Sequence, residues 1–194
     1  MAFAVVDIAN IALMMLGEEA IGSMDESSPR AATCANFYDH TVEEVLRLHD
    51  WNCARCRAEL AQLVERPAMG WDYFYQLPVD CLAIREAQDS GGKGGYPWER
   101  EANRIATDMA EDFIVYTRDL TVPALFDSTL RAAIAARLAW YMAYKLTQSR
   151  ALQREALSQF GMIMASAVGA DAAEGLKDTS MDGVAAEKSW VHRA

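Results

Sequence analysis

The sequence predicts an α+β chain, helical at both ends and β-rich between, and three observations carry that expectation. Ahead of position 50, Cys34, Tyr38, Thr41, Val42, Val45, Leu48 and His49 recur at helical spacing and define one buried stripe. Behind it, Ala54, Cys56, Ala58 and Leu60 alternate with Arg55, Arg57, Glu59 and Ala61, close to the period of a half-buried strand. Beyond residue 122 helical periodicity returns. Trp51 stands at the first switch, where a large flat side chain can cover the seam.

Residues 4–16 set Val5, Ile8, Ala9, Ala12, Leu13 and Leu16 at helical spacing, and Gly17 follows where a left-handed cap is needed. The connection through residue 27 holds Gly22, Ser23 and Asp25, with Ile21 and Met24 placed to tuck back onto the first helix. Ser28 offers its hydroxyl as an N-cap and Pro29 takes the first helical position, opening a helix over 28–49. On it, Glu43 and Arg47 stand at i and i+4 in the favourable order.

From 52 to 120 aromatic and β-branched residues rise while glycine and proline punctuate, so strands are expected near 53–62, 71–77, 81–87, 98–106 and 112–117. The clearest is Trp71-Asp72-Tyr73-Phe74-Tyr75-Gln76-Leu77, ended by Pro78, which cannot donate to a ladder. Ser90-Gly91-Gly92-Lys93-Gly94-Gly95 reads as a mobile loop or hairpin tip. It lacks the spacing and following helix of a phosphate loop.

Residues 122–148 form the next helix, with Pro123 near its start, Asp127 as an internal cap, and Leu130, Ile134, Leu138, Tyr141 and Lys145 along one side. After a break near Ser149, residues 150–168 place Leu152, Ala156, Phe160, Ile163 and Ala167 on a second stripe, and the short connection makes the two an antiparallel pair. The chain to 175 therefore reads as one domain with a β-rich insertion at 52–120. Residues 176–194 carry no stripe and read as a mobile C-terminal tail containing Trp190.

With 194 residues, 52% of them hydrophobic, the chain can bury one good core. No run approaches ~18 uninterrupted apolar residues and the N-terminus lacks a basic start and cleavage site, so neither membrane insertion nor secretion is expected. The formal charge of −10 argues against a nucleic-acid coating protein, which needs clustered Lys and Arg. That charge is uneven. Residues 1–50 hold nine acids against two bases, and 127–169 five bases against two acids. The simplest reading is solvated faces of unequal sign; the sharper one is that the two ends meet through complementary fields.

Little catalytic chemistry is legible. Cys53-Ala54-Arg55-Cys56 is a C-x-x-C, but at the start of a strand its sulfurs point to opposite faces, whereas a redox pair needs a helix N-terminus. Zinc needs four converging ligands, and only Cys34, Cys81 and His49 are spare, without a second paired motif. Four buried reduced cysteines are expected instead. His40, His49 and His192 have no serine or cysteine nucleophile in a recognisable elbow, and the acidic pairs Glu18-Glu19 and Glu43-Glu44 do not face each other on a helix. The residues suggest no enzyme and no cofactor.

The stretch Ile11-Ala12-Leu13-Met14-Met15-Leu16-Gly17-Glu18-Glu19-Ala20-Ile21 resembles the opening of phage tail tubular protein A, the head-to-tail adaptor of short-tailed phages. Further likeness lies in 34–38, in Val45-Leu46-Arg47 through Trp51-Asn52-Cys53-Ala54, and in Tyr75-Gln76-Leu77-Pro78-Val79-Asp80-Cys81-Leu82. The chain departs from the family's pattern at Cys53, where an aromatic usually follows Trp-Asn.

That resemblance, spanning residues 4–165, implies an antiparallel helical bundle with an inserted small β-subdomain and a mobile tail. It further implies a structural virion protein, made in the host cytoplasm and assembled as a homo-oligomeric ring, a dodecamer, between the portal protein and the tail nozzle (tail tubular protein B). DNA would pass through its lumen without sequence-specific binding, and an acidic lumen would keep the genome from sticking. Arg131 and Arg137 would meet the acidic first helices of a neighbour, Trp71, Tyr73, Tyr75 and the glycine loop would face the next tail component, and Trp190 would anchor the tail to the portal. The alternatives are a neck or connector protein of a long-tailed phage or prophage, a zinc-dependent binding module using Cys53, Cys56, Cys81 and His49, and a cytoplasmic helical interaction protein with no virion role.

Overall fold

The computed structural model describes residues 3–174 apart from 93 and 111–112, and for 171–174 the backbone alone. In chain order it contains α1 (Val5–Met15), α2 (Pro29–Leu48), a 3-10 turn (Asn52–Ala54), and β1 (Arg55–Glu59) and β2 (Ala61–Gln62). Then come β3 (Tyr73–Gln76), β4 (Cys81–Gln88), β5 (Trp98–Glu101), β6 (Arg104–Thr107) and β7 (Phe113–Arg118). A second 3-10 turn (Pro123–Leu125), α3 (Ser128–Thr147) and α4 (Arg150–Glu174) complete it.

Local chemistry explains the helix boundaries. Asp7 Oδ2 reaches back to the Ala4 amide at 2.7 Å, and Ser28 Oγ accepts from the Ala31 amide at 3.1 Å ahead of Pro29. Gly17 takes φ +73° and its amide closes on Met14 O, the left-handed stop expected after α1. Asp127 is the N-cap of α3 rather than an internal cap. Its Oδ1 accepts from the Leu130 amide at 2.7 Å, and the residues before it, 123–125, make a separate 3-10 turn.

The expected helical bundle with a small inserted β-subdomain is overturned. The structure is α+β, but among the described residues four helices accompany two antiparallel sheets of seven strands, not a minor insertion. Nor do the helices surround a common axis. α3 is the hub against which α1, α2 and α4 each pack, buried nearly all round through Leu130, Ala133, Ile134, Ala136, Leu138 and Met142. Its alanines let neighbouring backbones come close.

One sheet runs β1-β7-β4 and the other β2-β3-β6-β5. The expected single strand over 53–62 breaks: Cys53 and Ala54 lie in the 3-10 turn, and the chain changes sheet at Leu60, between β1 and β2. The expected strand over 98–106 is a hairpin, turning at Ala102 and Asn103. Between the sheets lies a second hydrophobic cluster of Leu60, Tyr75, Leu77, Cys81, Ala87, Ile105, Ile114 and Tyr116, separate from the helical core. Trp51, Ala54 and Leu82 belong to that helical core, so the seam closes over the end of α2. The tail at 176–194, with Trp190 and His192, lies outside the described residues.

Candidate functional site

Three arginines lock the seam. Arg85 on β4 donates Nη2 to Leu46 O, Arg47 O and His49 O at 3.0, 3.1 and 2.7 Å, and Nε to Thr117 Oγ1 at 2.7 Å. A cation thus meets the unpaired carbonyls and negative dipole end of α2. Burial holds the Arg85 pKa below the ordinary arginine value, with Asp50 opposing that fall. Arg47 returns the contact by donating to Leu82 O at 2.9 Å, where Arg100 also donates at 2.8 Å. Trp51 is fully buried beside them, its indole N–H on Val45 O at 2.9 Å.

The residues expected at partner surfaces fall in different settings. Arg137 makes a two-pronged contact with Glu44 of the same chain and lies over the rings of Trp140 and Phe160, at 4.3 and 5.4 Å from their centroids. Burial alone would raise the Glu44 carboxyl, but the Arg137 and Tyr141 hydrogen bonds hold it below the ordinary range. Arg131 is half-buried with its guanidinium 4.5 Å from the Phe3 ring centroid. Tyr75 points into the intersheet core and donates its hydroxyl to Met109 O at 2.7 Å. Tyr73 is half-buried beside it, and Trp71 reaches Glu99 with its indole N–H at 3.3 Å.

The glycine loop is organised by Asp89, whose Oδ1 accepts from the Gly91 amide at 2.9 Å and whose Oδ2 accepts from Tyr96 at 3.1 Å. A carboxylate holds the loop amide that a phosphate would need. Among the cysteines, Cys34 and Cys81 are buried, whereas Cys53 and Cys56 are half-buried, so the expectation of four buried thiols is corrected. Cys53 precedes the strand and bonds the Asp127 carboxylate. Among the described residues no three His, Cys, Asp or Glu side chains gather into a ligand set. His40 bonds Tyr141 at 3.0 Å, and His49 packs edge-on against Trp51.

Sequence reading missed a groove on one flank of α2. Two hollows of about 580 and 540 Å³ share Tyr38, Asp39 and Thr121. The first is walled by Val5, Val6 and Met24, the second by Val42, Glu43 and Asp119. Tyr38 is 6% exposed, yet its hydroxyl has no hydrogen-bond partner among the described residues. Burial pushes that phenol up to about 12, with Asp39 adding to the shift. Burial also raises the Asp119 carboxyl, and Glu43, Asp80 and Asp39 raise it further. The signal was divided among α1, the α1–α2 connection, α2 and the segment after β7, so no single stretch carried it.

No family model matches the chain, and no curated protein matches it.

Proposed function

We propose that this chain is the structural subunit of a head-to-tail adaptor ring in a short-tailed phage, seated between portal and tail nozzle with DNA passing through its lumen. The observation that supports this reading best is where the resembling segments lie. The stretch from Val45 to Ala54 and the stretch from Tyr75 to Leu82, distant in sequence, meet at one joint: Arg47 donates to Leu82 O, and Trp51 and Leu82 share a core. The segments alike in sequence are therefore those that fix the helical layer against the sheets. A ring that transmits load needs such a stiff joint more than it needs reactive groups.

Subunit geometry supports assembly over catalysis. Of the described histidines, one is bonded to Tyr141 and the other packed on Trp51, while Asp127 caps a helix and Glu44 pairs with Arg137. The exposed side of α4 carries Leu157, Met162 and Val168, a surface suited to another protein.

Light scattering of the purified protein, alone and after mixing with the cognate portal, tests the proposal. A closed ring, or one formed on the portal, is the expected result. A species of one or two chains that ignores the portal overturns it.

A further inference from the structure

The two flanks of α2 differ in a way that fixes how copies can meet. At 100° per residue, Phe37, His40 and Glu44 share one flank, and these side chains contact Tyr141 and Arg137, the latter lying over Phe160 of α4. Ala35, Asp39 and Glu43 share the other flank, which is the groove, and His40 borders both. α4 and the groove therefore sit on different flanks of α2.

Their chemistry is complementary. Arg150, Arg154, Leu157, Gly161 and Val168 fall on one exposed stripe of α4, basic at its start and apolar after it. No charged residue occurs from 156 to 170, and Leu157, Met162 and Val168 are 43, 64 and 50% exposed. Lys145, at the end of α3, adds a third exposed base near that start. The groove offers the reverse pairing, with the carboxylates of Asp39, Glu43 and Asp119 beside the apolar Val5, Val6 and Met24. Asp39 and Asp119 have no ionic partner within the described residues, and the Tyr38 hydroxyl in the groove wall lacks a partner. Glu43 is already on Arg47 at 3.0 Å, so the two carboxylates of Asp39 and Asp119 are what make the groove an acidic seat for a cationic side chain.

We infer that the groove receives α4 of a second copy of this chain, Arg150 and Arg154 meeting Asp39 and Asp119 while the apolar stripe covers Val5, Val6 and Met24. This names the subunit contact of the ring proposed above and rests on that reading. Because donor face and acceptor face are different surfaces of one subunit, the contact is heterologous. It propagates head to tail, into a ring where the rotation between copies closes and into a filament where it does not.

The test uses the full chain in low salt, followed by light scattering against concentration. Wild type is expected to grow beyond one chain and to retreat at 1 M NaCl, where the Debye length falls to about 3 Å. Asp39→Arg with Asp119→Arg, and separately Arg150→Glu with Arg154→Glu, each weaken self-association at least tenfold. All four side chains are exposed, so an unchanged melting temperature verifies folding. Mixed together, the two variants regain growth as alternating chains, since the reversed α4 of one complements the reversed groove of the other just as intact α4 complements intact groove; a mixture that stays unassociated overturns the contact. Wild type that stays one chain at every concentration overturns the contact but leaves a portal-templated adaptor to its own test. Oligomers indifferent to both charge reversals overturn the contact while retaining the ring. Assembly lost on removing 175–194 yet indifferent to Arg150→Glu/Arg154→Glu overturns it in favour of the tail as occupant.

Discussion

Arg137 shows how much one side chain holds when its charge, plane and stem are all used. Its side chain is 15% exposed, forks onto Glu44 of α2, and lies on Trp140 of α3 and Phe160 of α4, so three helices converge on it. Arg137→Ala leaves the part-buried Glu44 carboxylate without its main partner and is expected to cost about 2–3 kcal/mol in urea unfolding, a value reduced from the fully buried case by solvent access. Arg137→Lys recovers less than half, because an ammonium neither forks nor stacks; full recovery would refute the geometric account. Cys34 sets the alkaline limit. The thiol is fully buried 3.4 Å from Met142 Sδ, and burial pushes its pKa up to about 11. A raised folded pKa means the neutral thiol's contribution is complete below about pH 9 and lost as pH climbs to about 11. Two pH units correspond to about 3 kcal/mol. Wild type should lose that much between pH 9 and 11 relative to Cys34→Ala, and parallel pH profiles for the two proteins would remove the claim. Tyr38 and Tyr116, both raised to about 12 chiefly by burial, add further losses above pH 10.

At the scale of elements, the sequence announced helices better than strands, for identifiable reasons. Ser28 with Pro29 and Gly17 with its positive φ are local devices, readable because a cap needs a particular residue at a particular place. The β5–β6 hairpin escaped because its turn is Ala102-Asn103, and Ala102 adopts φ 54°, the left-handed region that ordinarily goes to glycine. The strain is testable. Ala102→Gly relieves it and is expected to stabilise by about 0.5–1 kcal/mol, the relief outweighing the glycine's greater unfolded-state entropy. A fall in thermal midpoint would mean that the alanine pays no conformational penalty there. Asp127 was visible as a cap but misplaced by one turn, because Pro123 looked like the helix start and instead opens a 3-10 turn. Asp127→Ala removes the bond to the Leu130 amide and should cost about 1 kcal/mol at pH 7. Burial works against that carboxylate, yet Leu130, Thr129 and Cys53 hold its pKa below the ordinary range. Its contribution is therefore present above the unfolded value near 3.8 and fades as pH falls through the folded one, so the variant and wild type converge in acid.

For the whole molecule, apolar stripes told which faces are buried but not what covers them, so nothing in them opposed the bundle that the resemblance implied. The stripe of α2 is shared between α3 and the seam at Trp51 and Leu82, a division no periodicity can express. The groove was illegible for a related reason: Val5, Tyr38 and Asp119 are far apart in sequence and come together only through tertiary packing. Two hydrophobic clusters separated in this way could unfold independently unless something couples them. The coupling falls to Arg85 and Arg100, which tie carbonyls at the end of α2 and the start of β4 to the strands. Each of these bonds involves a charged donor and is worth about 1.5–3 kcal/mol. Wild type should therefore unfold in one calorimetric transition with equal calorimetric and van't Hoff enthalpies. Arg85→Met combined with Arg100→Met leaves both clusters intact but frees the α2 carbonyls. The sheets should then melt ahead of the helices, seen as near-ultraviolet dichroism of the β-layer tyrosines changing before helical far-ultraviolet signal. If the double variant keeps a single coincident transition, Trp51 packing and the Arg47 bond to Leu82 O join the clusters, and Arg85 and Arg100 are not the coupling element.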